Sequence, residues 1–316
     1  MSQHPVRFGI QTPQQQAQWT DLRGLWQKAD LWGYDSLWVF DHFYPIMGAD
    51  PAGPCMEGWT ALSALSQQTR RARIGALVNG NTYRNPCITA KMAATLDHLS
   101  AGRFVLGIGA GWYELEHDSF GVDFKTVGWR LQALDEACQI IKGMFTEDKF
   151  TLHGKRYSVS DAVCSPKPIQ KPHPPLMVAG TGEKVLLKIV ARYADLWNAG
   201  GSAERMGHLI AVLKRHCDSI GRDSAEIEKT MITSLCYRAS AEREKEVTAR
   251  AAAMSRGTPA EARKNVLIGG ADECLETIER YGKVGVTHFI FSMTPPYMED
   301  EIQGFAEEVI PKVRRT

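Results

Sequence analysis

Residues 6–40 read VRFGIQTPQQQAQWTDLRGLWQKADLWGYDSLWVF and hold one complete strand, helix and strand. Positions 6–11 form a short apolar and β-branched run, 19–32 carry apolar side chains at helical spacing, and 35–40 return to a strand pattern. The turn after the first strand decides which fold of this rhythm follows. A doubly wound nucleotide-binding sheet would place a Gly-rich fingerprint there, and the sequence instead has Gln11-Thr12-Pro13-Gln14. A closed barrel needs no such fingerprint.

Outward from this unit the alternation continues. A helix is predicted at 59–69, a strand at 72–78, a helix at 86–99 closed by Gly102, and a strand at 103–108. The helix at 127–145 presents Leu131, Leu134, Ala137, Ile140, Ile141 and Met144 on one face, and the turn-rich stretch around Gly154 predicts a hairpin inserted near 149–175. Strands follow at 176–179, 195–199, 230–237 and 287–292, with helices at 184–193, 203–220, 272–284 and 300–313. Eight strands with about eight helices predict an α/β chain, a single (β/α)8 TIM barrel spanning residues 1–316. No composition shift, Pro/Gly/Ser-rich linker or internal repeat divides it.

Composition narrows the function. The 316 residues are 44% apolar and 23% charged, which excludes a disordered or collagen-like chain. Lys and Arg number 37 against 36 Asp and Glu, so no bulk field draws the protein to nucleic acid or an anionic membrane, and the expected partner is a small molecule. The opening residues lack a basic-then-apolar secretory run, and no stretch reaches the roughly 18 apolar residues of a membrane span, so a cytoplasmic protein is expected. Seven scattered cysteines without a C-x-x-C pair predict reduced thiols and no metal site.

In a barrel the chemistry sits at the carboxyl ends of the strands. Asp41-His42 ends the second strand, where an imidazole can move a proton and a carboxylate can orient it; the position outweighs the plainer reading of a loop histidine satisfied by packing. Residues 76–80 read more simply as core followed by a turn. Gly107-Ile108-Gly109-Ala110-Gly111 lacks dinucleotide spacing, and its glycines suit either a flat ligand approached by backbone, with Trp112 and Tyr113 as ring faces, or a tight turn with aromatics packed on the rim. Gly180-Thr181-Gly182-Glu183-Lys184 passes from strand to helix and suits a phosphate, against the simpler role of a capped turn. Glu114, Glu116 and His117 read as a solvated helical turn, Arg243, Lys245 and Arg250 as an exposed charged helix, and His208 and His216 as surface residues.

Five segments in chain order together resemble one family: GYDSLWVFDH (33–42), YRNP (83–86), LDHLSAGR (96–103), GIGAGW (107–112) and ARYADLWN (191–198). They look like the bacterial luciferase-like superfamily, and within it the oxidoreductases that use coenzyme F-420 (an 8-hydroxy-5-deazaflavin, F420). The resemblance implies a (β/α)8 barrel with an insertion, a homodimer, and hydride transfer at C5 of the deazaflavin to or from a small organic substrate. It implies that His42, preceded by Asp41, is a base or proton relay, and that both residues contribute to the cofactor site. It further implies that a non-prolyl cis peptide at Leu77-Val78, followed by Asn79, backs the ring, that Ala110, Gly111 and Trp112 border it, and that Gly180, Thr181 and Gly182 take the cofactor phosphate. The sugar-phosphate dehydrogenases of the family carry a Glu directly after the Gly matching Gly111, where this chain has Trp112; Glu116, one helical turn on, is the candidate substitute, and sugar-phosphate activity is disfavoured. An FMN-dependent monooxygenase or reductase is the first alternative and a non-catalytic flavin-binding protein the second. The loops 43–58, 113–125 and 256–266 are expected to form the substrate pocket, with Pro45, Ile46, Met47 and Trp59 making it partly apolar.

Overall fold

Eight parallel strands alternate with helices in the computed structural model, which describes residues 4–255 and 257–314. They are β1 (Arg7–Gln11), β2 (Ser36–Val39), β3 (Arg73–Ala76), β4 (Phe104–Gly109), β5 (Leu176–Ala179), β6 (Leu196–Ala199), β7 (Glu228–Thr233) and β8 (His288–Ser292). Each pairs with the next in chain order, and the ring closes at β8, where His288 lies opposite Thr230 of β7 on one side and Arg7 of β1 on the other. The chain is a (β/α)8 barrel.

Local sequence explains the helix ends. The helix Pro86–Leu99 begins where predicted because the Asn85 side chain accepts from Cys87 N–H at 2.9 Å and Pro86 needs no partner in the first turn. It ends at Leu99, and the turn that follows passes through Ala101 and Gly102 with φ of +53° and +76°. Apolar helix faces such as Leu22, Leu25, Trp26 and Ala29 pack with the outward side chains Phe8, Ile10, Leu37 and Val39, each large side chain contributing roughly 1.5–3 kcal/mol on burial.

Two predicted strands are interrupted. The run 72–78 ends as β3 at Ala76; the Leu77–Val78 peptide is cis, and Asn79–Gly80 then resumes pairing against Ile108 and Gly109. The run 230–237 starts earlier, at Glu228, and after Thr233 the piece Leu235–Tyr237 leaves the barrel to pair with Leu267–Gly269. The inserted hairpin pairs Phe150–His153 with Ser158–Ala162, and its tip is held by Glu136, which accepts from the N–H groups of Lys155, Arg156 and Tyr157 at 2.8, 2.8 and 2.9 Å.

Inside the barrel Trp38, Leu77, Val105, Met177, Leu196 and Ile290 form an apolar plug. Gly75 makes room for it, since a Cβ there would stand 2.6 Å from the Trp38 ring. A polar layer is built around the buried Glu228, which lies 2.7 Å from Arg7 Nη1, 3.4 Å from Arg73 Nη1 and 3.2 Å from His288 Nδ1. His288 Nε2 in turn meets Ser36 Oγ at 2.7 Å, and Ser36 Oγ accepts from Trp38 Nε1 at 2.8 Å. No described helix is long and apolar enough to cross a membrane.

Candidate active site

Strand β2 delivers Asp41 and His42 to the carboxyl end of the barrel, and each is held by a different partner. The Asp41 carboxylate is buried, accepts from Gly80 N–H at 3.0 Å, and receives Arg84 Nη1 at 2.8 and 3.0 Å on its two oxygens. Arg84 reaches on to Glu57 at 3.0 Å. Burial raises the Asp41 pKa and the Arg84 guanidinium opposes it. Its carboxylate is thus committed within the protein, anchoring the segment that follows the cis peptide.

His42 Nδ1 lies 2.9 Å from Glu116 Oε2, and its ring meets Phe40, Trp112 and Tyr113 at centroid distances of 5.0, 5.5 and 5.8 Å. Glu116 is fully buried and fully used. Its Oε1 accepts from the N–H groups of Phe43 and Tyr44 at 2.6 and 2.9 Å, and its Oε2 accepts from His42 and from the Tyr83 hydroxyl. Burial favours the neutral acid, but these hydrogen bonds, from His42 and Tyr83 first, outweigh it and hold the pKa below the ordinary value. A carboxylate can only accept, so Nδ1 carries a ring proton, and in the neutral imidazole the lone pair is on Nε2. Nε2 has no hydrogen-bond partner among the described residues.

The expectation of a solvated turn at Glu114, Glu116 and His117 is corrected here. Only Glu114 is exposed; Glu116 and His117, in the short helix Glu114–Phe120, are buried because the segments 42–44 and 82–83 close over it. His117 is satisfied by Tyr113 O at 2.8 Å and Thr82 Oγ1 at 2.7 Å, and no described group of three His, Cys, Asp or Glu side chains could hold a metal. Sequence reasoning had no place for Tyr83 beyond the YRNP motif, whose position just before a capped helix was the available signal.

The cis peptide at Leu77–Val78 lies just before Gly80, whose N–H reaches Asp41. Leu77 O accepts from Gln11 Nε2 at 3.0 Å, so the end of β1 pins the bulge. The glycines of β4 serve the same bulge: a Cβ at Gly107 would stand 2.2 Å from Ala76 O and 2.9 Å from Val78 Cγ1, and one at Gly109 would stand 3.0 Å from Val78 Cγ2. Gly107→Val is therefore expected to destabilise the protein by about 1–3 kcal/mol, read as a lowered denaturation midpoint, and an unchanged midpoint would refute this account. Asn79 Nδ2 donates to Gly107 O at 2.7 Å, leaving the buried Asn79 Oδ1 without a partner among the described residues. Ala110 is half-buried, Gly111 adopts φ +74° against Thr82, and Trp112 is 54% exposed.

At the end of β5, Gly180 has φ +134°, Thr181 and Gly182 are exposed, and the helix Leu186–Tyr193 begins two residues later than predicted. The N–H groups of Thr181, Gly182, Glu183 and Lys184 find no backbone acceptor among the described residues. The Glu183 carboxylate beside them is engaged by Arg205 and His208 at 2.8 and 3.1 Å. Of the three loops expected to frame a pocket, 43–58 and 113–125 meet at Phe43 and Phe120, centroids 4.9 Å apart; in the third, Arg256 lies outside the described residues. Met47 is exposed, whereas Pro45 and Trp59 are buried.

A parallel eight-stranded barrel with a histidine–carboxylate pair and a glycine turn at the carboxyl ends of its strands belongs to the barrels that work on bound small molecules at that face. The sequence model of luciferase-like monooxygenases matches residues 3–266, and the chain belongs to that family. Among curated proteins, the F420-dependent glucose-6-phosphate dehydrogenase of Microbacterium testaceum is 27% identical over 336 residues, covering 98% of each chain. The FMNH(2)-dependent dimethylsulfone monooxygenase of Pseudomonas putida is 24% identical over 324 residues, covering 92% of this chain and 87% of its own. Among solved structures, an F420-dependent secondary alcohol dehydrogenase in complex with an F420-acetone adduct superposes with a TM-score of 0.84 at 23% identity, covering 98% of this chain and all of the other.

Proposed function

We propose that this chain is an F420-dependent oxidoreductase acting on a small alcohol, ketone or activated alkene, with His42 Nε2 as the group that moves the proton. The observation that carries the reading is the His42–Glu116 pair: a buried anion accepts a hydrogen bond from Nδ1–H, and Nε2 is left without a hydrogen-bond partner among the described residues, on a ring flanked by Trp112 and Tyr113. The full-length similarity to F420-dependent enzymes supports the cofactor.

The residues present suit such a group. Leu77 and Val78 offer an apolar floor, Trp112 a ring face, and the buried Asn79 Oδ1 an unused acceptor for a polar ring edge. The N–H groups from Thr181 to Lys184 suit its phosphate. Bound there, a deazaflavin supplies hydride exchange at C5, with carbon where a flavin has N5. His42 Nε2 accepts the hydroxyl proton when an alcohol is oxidised and returns it to oxygen or carbon when the substrate is reduced. Glu116 keeps the ring in the tautomer that allows this, and its low proton affinity makes it a holder of His42 rather than a second acid. Trp112, standing where the sugar-phosphate enzymes of the resemblance carry Glu, turns the substrate toward an uncharged, partly apolar molecule.

Titration of the purified protein with oxidised F420 and, separately, FMN tests the cofactor. Micromolar or tighter binding of F420, with FMN at least about tenfold weaker, is expected. The reverse preference would move the chain to the flavin monooxygenases, and binding of neither would remove the cofactor assignment.

A further inference from the structure

We propose that Tyr83 is a positioning residue for His42, acting through Glu116; this rests on the reading of His42 as the proton-moving group. Two successive side chains after the cis peptide grip the end of β2 from opposite sides. Arg84 holds Asp41, and Tyr83 holds the carboxylate on which His42 rests. The local sequence is built for this grip. A Cβ on Gly80 would stand 2.5 Å from the Tyr83 ring, so only glycine there lets the phenol turn toward Glu116. The ring is then fixed between Phe43 and His117, at centroid distances of 5.0 and 4.8 Å.

The chemistry of the contact sets its role. Burial first, and then the bond to Glu116, keep the proton on the Tyr83 oxygen, so the phenol donates throughout the working pH range. Glu116 Oε2 therefore divides its charge between two donors, His42 Nδ1 and Tyr83. That division holds the carboxylate in one rotamer and limits how strongly it favours a proton on the imidazole. The other titratable groups around the pair offer no replacement. The Cys55 thiol, pushed up to about 12 by burial and by Glu116, donates to His42 O at 3.4 Å; Asp41 and Arg84 are paired with each other; His117 is satisfied by Thr82 and Tyr113.

Tyr83→Phe removes the hydroxyl and keeps the ring. In the cofactor-free protein labelled with 15N-histidine, with His42→Ala identifying the signal, the titration read at His42 should move to higher pH by about half a unit or more, because Glu116 then gives its charge to the imidazole alone. Glu116→Gln should move it to lower pH, since a neutral amide no longer favours the charged ring. With F420 and substrate, Tyr83→Phe should lower kcat about 5–20-fold and shift the acid limb of its pH profile in the same direction, with F420 affinity unchanged. A titration and pH profile like those of the parent protein would overturn the proposal, even with a lowered melting temperature, because a packing role alone leaves both in place. If His42→Ala keeps full turnover, the catalytic reading fails instead, and the 15N titration of Tyr83→Phe still decides the positioning role.

Discussion

Replacement of His42 by alanine is expected to lower kcat by about 10²–10⁴-fold while F420 affinity changes by about threefold or less. The size of the loss follows from how little else near the barrel mouth can move a proton. Asp41 is paired with Arg84, Glu116 is saturated by four donors, and the Tyr83 hydroxyl is engaged as a donor to Glu116. The floor at Leu77–Val78 and the turn at Gly180 do not involve the imidazole, so binding should survive. Added imidazole should restore part of the rate. Steady-state kinetics and the fluorescence titration separate the two quantities, and turnover within tenfold of the parent protein would remove His42 from the mechanism.

Glu228→Ala is expected to cost about 3–5 kcal/mol of folding stability near neutral pH, read from chemical denaturation. The carboxylate is buried in the barrel beside Arg7, Arg73 and His288, and removing it leaves the two guanidinium groups and the His288 ring without this acceptor. Burial favours its neutral form, but His288 and Arg7 prevail and hold its pKa well below the ordinary value. A group whose folded pKa is depressed contributes stability that is complete above its unfolded pKa, about 4.3, and is lost as pH falls toward the folded value. The gap between parent and variant should therefore be widest above about pH 5 and narrow steadily below it. A gap independent of pH, or one below about 1 kcal/mol, would show that the layer is held by packing rather than by this charge.

The barrel was legible because its signals are local. Helix 86–99 announces itself through Asn85-Pro86 and Gly102, and the missing glycine fingerprint after Gln11 separates a closed ring from an open sheet. The break at Leu77–Val78 carries no such mark for a reading of the residues alone, since both side chains suit an unbroken strand; only the family resemblance pointed there. The sequence pattern starts strand β7 only at Thr230 because Glu228 and Lys229 look like loop residues, and nothing local reveals that Glu228 enters a polar layer inside the barrel. Glu116 is hidden from a local reading for the same reason. Its donors come from residues 42–44 and from Tyr83, and a carboxylate next to Glu114 reads as solvated until those segments are folded over it.

Every side chain that holds or orients His42 comes from residues 11–116, whereas the exposed glycine turn suited to phosphate starts at residue 180. The proposed proton handling is thus encoded in one uninterrupted stretch, before the hairpin and β5. Its parts are inherited together, and a crossover between related genes in the hairpin region would exchange the anion-holding half of the molecule without separating His42 from the residues that aim it.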